Sequence, residues 1–299
     1  MELKGIYTAL VTPFKDGALD EEGLKRLVEF QVQGGVDGIV PCGTTGEAST
    51  LTYEEHEKVI ELVVKFVNGR VRVMSGTGSN STRETIEMTE AARKLGSHMV
   101  LLVAPYYNRP TQEGLYQHFK AVAENVAIPM VLYNIPTRTG VNMLPELVAR
   151  LAEIPNIVAI KEASGSLQQV ADIYRLTKGT FTILSGDDNI FLPMMALGGM
   201  GVISVLSNIL PARLKALATA FLDENNIEKA RSIHLELMPL FQAMFVEVNP
   251  VPVKESLYFM GMIERELRLP LVPLTEKNRE YLKGVLKEFG LMKRLKDSV

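Results

Sequence analysis

The sequence contains a single cysteine and no long uninterrupted apolar run. Because a disulfide needs two cysteines, the lone Cys42 excludes an intramolecular disulfide framework and is typical of a protein in a reducing compartment. No apolar run approaches the ~20 residues that a membrane-spanning helix needs, and no charged-then-apolar leader opens the chain. We therefore expect a cytoplasmic protein that does not associate with membranes.

The chain also lacks a strong excess of charge of either sign. Its 32 basic and 35 acidic residues are mixed along the sequence and give a formal net charge of −3. A nucleic-acid-binding surface needs a basic patch or stripe, so nucleic acid is not expected as a partner. The 4 histidines are scattered, and none lies beside the acidic pair Asp187 and Asp188. We therefore predict no metal site, and we interpret that pair as loop and cap residues.

Short apolar runs rich in branched residues recur along the chain, and each is followed by an amphipathic segment. The runs cover residues 5–11, 38–41, 71–75, 99–104, 129–133, 157–160, 181–184 and 201–205. Their spacing of roughly 25–35 residues is the length of one βα unit. Continuous rather than alternating apolar runs indicate parallel strands that are covered on both faces. Eight such units predict an α/β fold, a closed (β/α)8 TIM barrel, with an open doubly wound sheet as the alternative.

Helix start signals agree with this repeat. Apolar residues keep helical spacing in residues 21–33 and 52–67. Thr52 with Glu55, and Ser81 with Glu84, both match the capping box, in which a hydroxyl and a carboxylate satisfy each other's backbone amides.

The last quarter of the chain has a different pattern. Residues 227–245, 253–267 and 275–289 are helical in pattern, with Pro250, Pro252 and Pro270 between them. We therefore predict a catalytic barrel over residues 1–224 and a small helical domain over residues 225–299.

Polar residues at the ends of the predicted strands are the candidates for chemistry, because a barrel carries its working residues there. Lys161 ends the sixth strand, where partial loss of water favours a neutral, nucleophilic amine. Tyr133 ends the neighbouring fifth strand and offers a phenol for proton transfer. Arg138 follows on a loop with proline and glycine and offers a planar fork for a carboxylate. Each of these residues is also common in purely structural roles, so no single one decides the function.

Two glycine-containing segments that follow predicted strands are candidates for binding a ligand. The string Gly-Thr-Thr-Gly-Glu at residues 43–47 offers backbone amides and hydroxyls to a small carboxylate, although a plain turn is the commoner meaning. Residues 76–81 follow a strand like a dinucleotide fingerprint, but the third glycine is missing, so we reject that interpretation.

Taken together, five strings resemble a known family. They are Gly-Thr-Thr-Gly-Glu at 43–47, Pro-Tyr-Tyr-Asn at 105–108, Tyr-Asn-Ile-Pro-Thr-Arg-Thr-Gly at 133–140, Ile-Lys-Glu-Ala at 160–163 and Gly-Val-Ile-Ser-Val at 201–205. In order and spacing they closely resemble the dihydrodipicolinate synthase family, in the pyruvate-dependent aldolase superfamily that includes N-acetylneuraminate lyase. The resemblance covers essentially the whole chain, including the Asn-Pro-Val-Pro-Val-Lys string at 249–254.

This resemblance implies a condensation of pyruvate with L-aspartate 4-semialdehyde, at the entry to lysine and diaminopimelate biosynthesis. Lys161 would form an imine with pyruvate, and the protonated imine would accept the electrons, so no cofactor is implied. Tyr133 would move protons, relayed through Thr44 and through Tyr107 of a neighbouring subunit. A borrowed tyrosine makes the dimer the smallest competent unit, and the family is usually a dimer of dimers.

The resemblance also assigns the substrate contacts. Thr45 and the backbone around Ile203 would hold pyruvate, Gly186 would line the pocket, and Arg138 would bind the carboxylate of the aldehyde. The family's usual Thr before Pro-Tyr-Tyr is Ala104 here, and its usual Gly-Ala-Asp turn reads Gly-Ser-His at 96–98. Neither departure removes a proposed catalytic group.

Family members that L-lysine inhibits bind it at a subunit interface. The matching positions in this chain are Ser49, His56, Asn80, Glu84 and Tyr106. A neutral His56 would receive the side-chain ammonium of lysine, which a basic residue would repel. Tyr53 stands where some inhibited relatives have histidine. His56 also fits the apolar face of a helix, and Glu84 also fits a capping box with Ser81, so inhibition is an expectation to be tested.

Two alternative functions remain. One is another pyruvate-imine aldolase or lyase that acts on N-acetylneuraminate or a 2-keto-3-deoxy sugar acid. The Thr44–Thr45 pair and Arg138 argue against it, because the sialate lyases resemble Ser-Thr there and lack this arginine. The other is a barrel that has lost activity and serves binding, which should lack at least one of Lys161, Tyr133 and Arg138; all three are present.

Overall fold

A computed structural model describes residues 3–292 of the chain. The strands in that part are β1 Gly5–Ala9, β2 Phe14–Lys15, β3 Ala18–Leu19, β4 Gly38–Val40, β5 Arg72–Gly76, β6 Met99–Val103, β7 Met130–Asn134, β8 Ile157–Glu162, β9 Thr182–Ser185 and β10 Gly201–Ser204. The helices are α1 Glu21–Gln33, α2 Tyr53–Val67, α3 Thr82–Lys94, α4 Gln112–Asn125, α5 Pro136–Thr139, α6 Pro145–Leu151, α7 Leu167–Leu176, α8 Phe191–Ala196, α9 Pro211–Leu222, α10 Ile227–Ala243, α11 Val251–Phe259 and α12 Glu276–Glu288. None of these helices is long and apolar enough to cross a membrane.

Eight parallel strands close into a barrel in the order β1-β10-β9-β8-β7-β6-β5-β4. Closure occurs at β1, which pairs with β10 on one side, Gly5 opposite Gly201, and with β4 on the other, Tyr7 opposite Gly38. Each of the eight predicted strands appears in the closed sheet. The predicted TIM barrel is therefore confirmed, and the open doubly wound sheet is wrong.

The barrel strands are apolar throughout because both of their faces are covered. One buried cluster fills the barrel interior and includes Tyr7, Met74, Leu101 and Leu184. A second, larger cluster lies between the strands and the surrounding helices. Inward and outward side chains of one strand thus enter two different cores, which is why the sequence shows continuous apolar runs.

One predicted capping box is confirmed, and the other is only half correct. The Thr52 hydroxyl accepts from the Glu55 amide, and the Glu55 carboxylate accepts from the Thr52 amide. Ser81 likewise caps α3, but Glu84 does not return the bond. Its carboxylate accepts the hydroxyl of Ser79 at 2.8 Å instead. The reciprocal bond is missing because Ser79 Oγ also takes the Ser81 amide that Glu84 would have used.

A two-stranded hairpin of β2 and β3 follows β1 and was not predicted from the sequence. Asp16 and Gly17 form its turn with φ values of 54° and 81°. An Asp-Gly pair is a common signal for this turn, because both residues tolerate positive φ. The strands of two residues each are too short to show a period-2 pattern.

The C-terminal helices match the prediction at two of three positions. The helices α10 and α12 lie within residues 227–245 and 275–289, but the predicted helix over 253–267 is wrong at both ends. It begins at Val251 and ends at Phe259, because Gly261 adopts φ 71°. The amides of Gly261 and Met262 bond back to Tyr258 and Leu257, which is a Schellman termination.

The division into residues 1–224 and 225–299 stays a prediction. The helix α9 of the barrel ends at Leu222, and Asn226 caps α10 by accepting from the Lys229 amide. Buried residues on both sides of that point, including Leu217 and Leu237, belong to one apolar cluster. The C-terminal helices therefore pack on the barrel through a shared core.

Candidate active site

Lys161 and Tyr133 lie side by side at the carboxyl ends of neighbouring barrel strands. They are register partners on β8 and β7, and the Lys161 Nζ lies 4.1 Å from the centroid of the Tyr133 ring. Both residues are buried, at 7% and 6% exposure. The expectation that they come from adjacent strands is met, and the amine is held in a site with little access to water.

The neighbouring acidic residue, Glu162, does not form an ion pair with the Lys161 amine. The Glu162 carboxylate accepts from the Asn134 and Gln169 side chains, each at 3.0 Å, and from the Ser164 amide at 2.6 Å. Alternation along the strand directs Lys161 inward and Glu162 outward. Glu162 therefore stabilises the end of β8 through these hydrogen bonds, and the Lys161 amine is not engaged by it.

Gly186 lies directly against the lysine side chain. A Cβ at this position would come 3.2 Å from Lys161 Cε and 2.5 Å from Ala163 Cβ. Any larger residue would displace the lysine or the loop, so the close approach requires glycine here.

The loop at residues 43–47 is fixed by residues from the C-terminal helices. The Asn249 amide donates from Nδ2 to Thr45 Oγ1 at 3.0 Å. Glu47, whose φ of 53° is left-handed, forms a buried ion pair with Lys254 at 2.5 Å. Burial lowers the pKa of Lys254, and the Glu47 carboxylate opposes that shift. The Thr44–Thr45 loop is therefore held from outside the barrel.

Arg138 lies on the short helix α5 that follows β7. Its Nη2 donates to the main-chain oxygen of Asn249 at 3.3 Å. The sequence places Asn249 only in the helical tail and does not predict its position in the pocket. The one signal in the sequence is the Asn-Pro-Val-Pro string, and such a string is equally common where a helix simply begins.

These residues line one pocket at the carboxyl end of the barrel. Its lining includes Thr44, Thr45, Tyr133, Arg138, Lys161, Gly186, Asp187, Ile203 and Asn249. All the residues singled out for catalysis and substrate binding are thus brought together, except Tyr107. Within one chain, Tyr107 lies away from this pocket, 90% exposed and with a left-handed φ of 72°.

The two acidic residues after β9 have different surroundings. Asp188 is a cap as predicted, because its Oδ2 accepts from the amides of Val205 and Leu206. Asp187 lies in the predicted loop and precedes the short helical turn Asp188–Ile190, but its side chain makes no cap hydrogen bond there and the residue also lines the pocket. Burial raises the pKa of Asp187 to about 6, against the opposing charge of Lys161. The pair supplies one structural acid and one acid that faces the pocket.

A second, larger cavity of about 410 Å³ adjoins the first. Four of the five residues proposed for lysine binding line it, namely Ser49, His56, Glu84 and Tyr106. Asn80 does not line it, and its Nδ2 donates to the main-chain oxygen of Tyr106 at 3.1 Å. Thr44, Tyr133 and Arg138 line both cavities, so the two spaces share a wall of candidate catalytic residues.

His56 is buried at the inner wall of the larger cavity. Its Nε2 lies 2.9 Å from the main-chain oxygen of Gly76, which accepts but cannot donate. The Nε2 therefore carries a proton and leaves Nδ1 as an acceptor when the ring is neutral. Burial lowers the pKa of His56, opposed by the bond to Gly76, so the neutral ring is favoured.

Comparison with known proteins agrees with this geometry. A sequence profile described as the Dihydrodipicolinate synthetase family matches residues 2–289. A protein of Syntrophus aciditrophicus named 4-hydroxy-tetrahydrodipicolinate synthase is 57% identical over 289 residues, covering 97% of this chain and 99% of its own.

Solved structures agree as well. The dihydrodipicolinate synthase from Aquifex aeolicus superposes with a TM-score of 0.96 at 48% identity, over 98% of this chain and 100% of that one. A DHDPS from Cyanidioschyzon merolae with lysine bound gives 0.94 at 44% identity, over 97% and 99%. On the strength of these matches along nearly its whole length, the chain belongs to the dihydrodipicolinate synthetase family.

Proposed function

We propose that this chain condenses pyruvate with L-aspartate 4-semialdehyde to give 4-hydroxy-tetrahydrodipicolinate, the first committed step of lysine and diaminopimelate biosynthesis. The observation that carries the proposal is the buried Lys161 amine beside the Tyr133 ring, in a pocket that Arg138 also lines. An amine, a proton-transfer group and a carboxylate-binding fork in one pocket suit carbon–carbon bond formation through an imine. The name of the Syntrophus aciditrophicus relative specifies the same product.

The chemistry begins at Lys161. Its Nζ attacks the keto carbon of pyruvate, and loss of water gives a protonated imine. Loss of a methyl proton then gives an enamine, whose methylene carbon attacks the aldehyde carbon of the second substrate. Tyr133 exchanges protons with these intermediates, and Thr44 and Thr45 place hydroxyls beside them.

The substrate carboxylates have separate partners in this proposal. Pyruvate is held by Thr45 and the backbone near Ile203, deep in the pocket beside Lys161. Arg138 binds the carboxylate of the aldehyde substrate through two parallel N–H bonds. Gly186 leaves the space in which both substrates approach the amine.

Tyr107 completes the proton path from a second copy of the chain. Its exposure of 90% supports this role, because an aromatic side chain in solvent is available to a partner surface. We propose a dimer as the smallest active unit, assembled as a dimer of dimers, in the cytoplasm.

L-Lysine is proposed as an effector at the larger cavity. His56 and Glu84 offer an acceptor nitrogen and a carboxylate on its wall, which suit the two ammonium groups of lysine. Because Thr44 and Tyr133 line the same cavity, an effector bound there would touch the proton path. The Cyanidioschyzon merolae structure with lysine bound supports this proposal.

Two measurements test the proposed function. The first follows condensation of pyruvate with aspartate semialdehyde, against N-acetylneuraminate and 2-keto-3-deoxy sugar acids as rival substrates. The second reduces the protein with borohydride in the presence of pyruvate and locates the added three-carbon unit by peptide mass. Addition at Lys161, absent from Lys161→Ala and retained in the exposed control Lys58→Ala, is the expected result. Turnover of a sugar acid instead, or addition at another lysine, would refute the proposal.

A further inference from the structure

Asn249 carries an unused acceptor at the candidate active site. The residue is 7% exposed and lines the pocket with Lys161 and Arg138. Among the described residues, none donates a hydrogen bond to its buried Oδ1. A buried amide oxygen without a donor is destabilising, by about 1–3 kcal/mol, so such an atom in a pocket indicates a ligand group that completes it.

The rest of Asn249 is fully engaged, which fixes the direction of that oxygen. Its Nδ2 donates to Thr45 Oγ1 at 3.0 Å, and its main-chain oxygen accepts from Arg138 at 3.3 Å. Five residues further along, the Lys254–Glu47 ion pair ties α11 to the same loop that carries Thr45. The acceptor is therefore held rigidly between the groups proposed to bind the two substrates.

The partner that fits this acceptor is an amino group next to a carboxylate. Arg138 binds the carboxylate of the aldehyde substrate in the proposed function, and its guanidinium already touches Asn249. In an α-amino acid the ammonium lies one carbon away from the carboxylate. A substrate carboxylate on Arg138 thus places its amino group beside Asn249.

We infer that Asn249 Oδ1 receives the amino group of the aldehyde substrate and orients it for ring closure; this inference rests on the proposed function. Asn249 is a positioning residue for closure and selects an amino aldehyde over one without nitrogen. It takes no proton itself. Its contribution is to hold the nitrogen towards the imine carbon on Lys161.

Ring closure conserves atoms and charge. When the carbon–carbon bond forms, the Tyr133 phenol gives its proton to the former aldehyde oxygen and becomes a phenolate. The phenolate then takes one proton from the ammonium, which becomes an amine. That nitrogen attacks the carbon of the protonated imine, forming a C–N bond and a diamine on one carbon. A proton moves to Nζ, the C–Nζ bond breaks, and Lys161 leaves as a neutral amine. The six-membered ring then carries a protonated C=N bond, which loses its proton to water, and no oxidant or reductant is required.

The test compares two aldehydes that differ only in the amino group, aspartate semialdehyde and succinate semialdehyde. Both have the aldehyde and the carboxylate, but only the first can close the ring. For Asn249→Leu, which has no acceptor, kcat/KM for aspartate semialdehyde should fall about ten- to a hundredfold more than the second-order rate constant with which succinate semialdehyde forms its adduct on Lys161, measured in a single turnover. Borohydride should also trap the two-substrate adduct on Lys161, because ring closure no longer releases it.

Asn249→Asp is the matched variant, since it keeps an acceptor while it replaces the Nδ2 donor to Thr45 by a charged carboxylate oxygen. It should raise KM for pyruvate while preserving the preference for the amino aldehyde. Borohydride trapping of pyruvate alone shows that each variant is folded. Asp187→Asn controls for the carboxylate that also lines the pocket and should leave the preference in place.

Three outcomes would overturn the inference. They are an equal loss on both aldehydes in Asn249→Leu, no accumulation of the two-substrate adduct, or loss of the preference in Asp187→Asn instead. These differ from failure of the proposed function itself, in which the unaltered protein would not condense either aldehyde with pyruvate.

Discussion

The Lys161 amine lies over the face of the Tyr133 ring, 4.1 Å from its centroid. This arrangement follows from the barrel, because the two residues are register partners on adjacent parallel strands. The amine contacts the face of the ring, whereas the phenol oxygen stands on the edge of the ring, where it can exchange protons with a substrate. Packing and proton transfer by Tyr133 are therefore separable.

Tyr133→Phe tests that separation. The ring contact is kept and the hydroxyl is lost, so the melting temperature should change little. The condensation rate should fall by about 10²–10⁴-fold, the usual contribution of a positioned acid–base group. Steady-state kinetics beside Tyr281→Phe, an exposed tyrosine on α12, gives the comparison. An unchanged rate would remove Tyr133 from the proton path.

Arg138→Ala separates the two substrates. It removes a charge-assisted, bidentate contact worth on the order of 1.5–3 kcal/mol. Condensation with aspartate semialdehyde should fall at least tenfold, while borohydride still traps pyruvate on Lys161. The exposed Arg150, paired with Glu113, provides the control variant Arg150→Ala. Loss of trapping in folded Arg138→Ala would move the arginine into the pyruvate site.

Tyr107 can be tested by mixing inactive subunits. Lys161→Ala lacks the amine, and Tyr107→Phe lacks the hydroxyl that is proposed to serve the site of the neighbouring subunit. A mixed dimer contains one site with both an intact Lys161 and an intact borrowed tyrosine. Activity should therefore return on mixing, measured after subunit exchange has been established with tagged chains. No return of activity would show that Tyr107 is not shared.

L-Lysine inhibition depends on the charge at position 56. Activity titrated with L-lysine near neutral pH should decrease, and His56→Lys should weaken the inhibition because like charges repel. His56→Gln is the neutral comparison and should retain more inhibition than His56→Lys. Equal inhibition of both variants would show that charge at this position is irrelevant. Absence of inhibition at millimolar lysine in the unaltered protein would mean that these residues are structural.

The Glu55–Arg268 pair predicts a pH dependence of stability. Two hydrogen bonds of 2.6 Å from Arg268 lower the pKa of Glu55 to about 2. In the unfolded chain glutamate titrates near about 4.3, so the unfolded state takes up the proton first as pH falls. The stabilisation is therefore complete above about pH 5 and is lost between about pH 4.3 and 2.

Glu55→Gln isolates this charge, because glutamine can still complete the capping box with Thr52. Urea unfolding of both proteins at a series of pH values measures the difference. The gap in unfolding free energy should be constant at neutral pH and should close towards pH 2. A gap that does not change with pH would mean that the pair contributes nothing through its charge.

The sequence predicts the barrel and most of the pocket residues because each of these features is encoded within a short stretch of the chain. An apolar run that ends in Lys161 or Tyr133 reveals both the strand and the position of the residue at its end. Asn249 is different, since it reaches Thr45 across 204 positions of sequence, and no local pattern records such a contact. The partner of the Glu84 carboxylate could not be predicted either. A capping box pairs Glu84 with the Ser81 amide, but in the structure Ser79 Oγ accepts from that amide and donates to Glu84.

The attachment of Asn249 and Lys254 to the loop after β4 also bears on the order of events during translation. All eight barrel strands precede residue 249 in the sequence. The strand that carries Lys161 is therefore synthesised before Asn249, which lines the same pocket. Until α11 arrives, Glu47 has no cation to pair with, and Thr45 lacks the amide that orients its hydroxyl. Lys161 is therefore synthesised before the residues that orient the Thr45 hydroxyl, and the pocket can be complete only after residues 249–254 have been made.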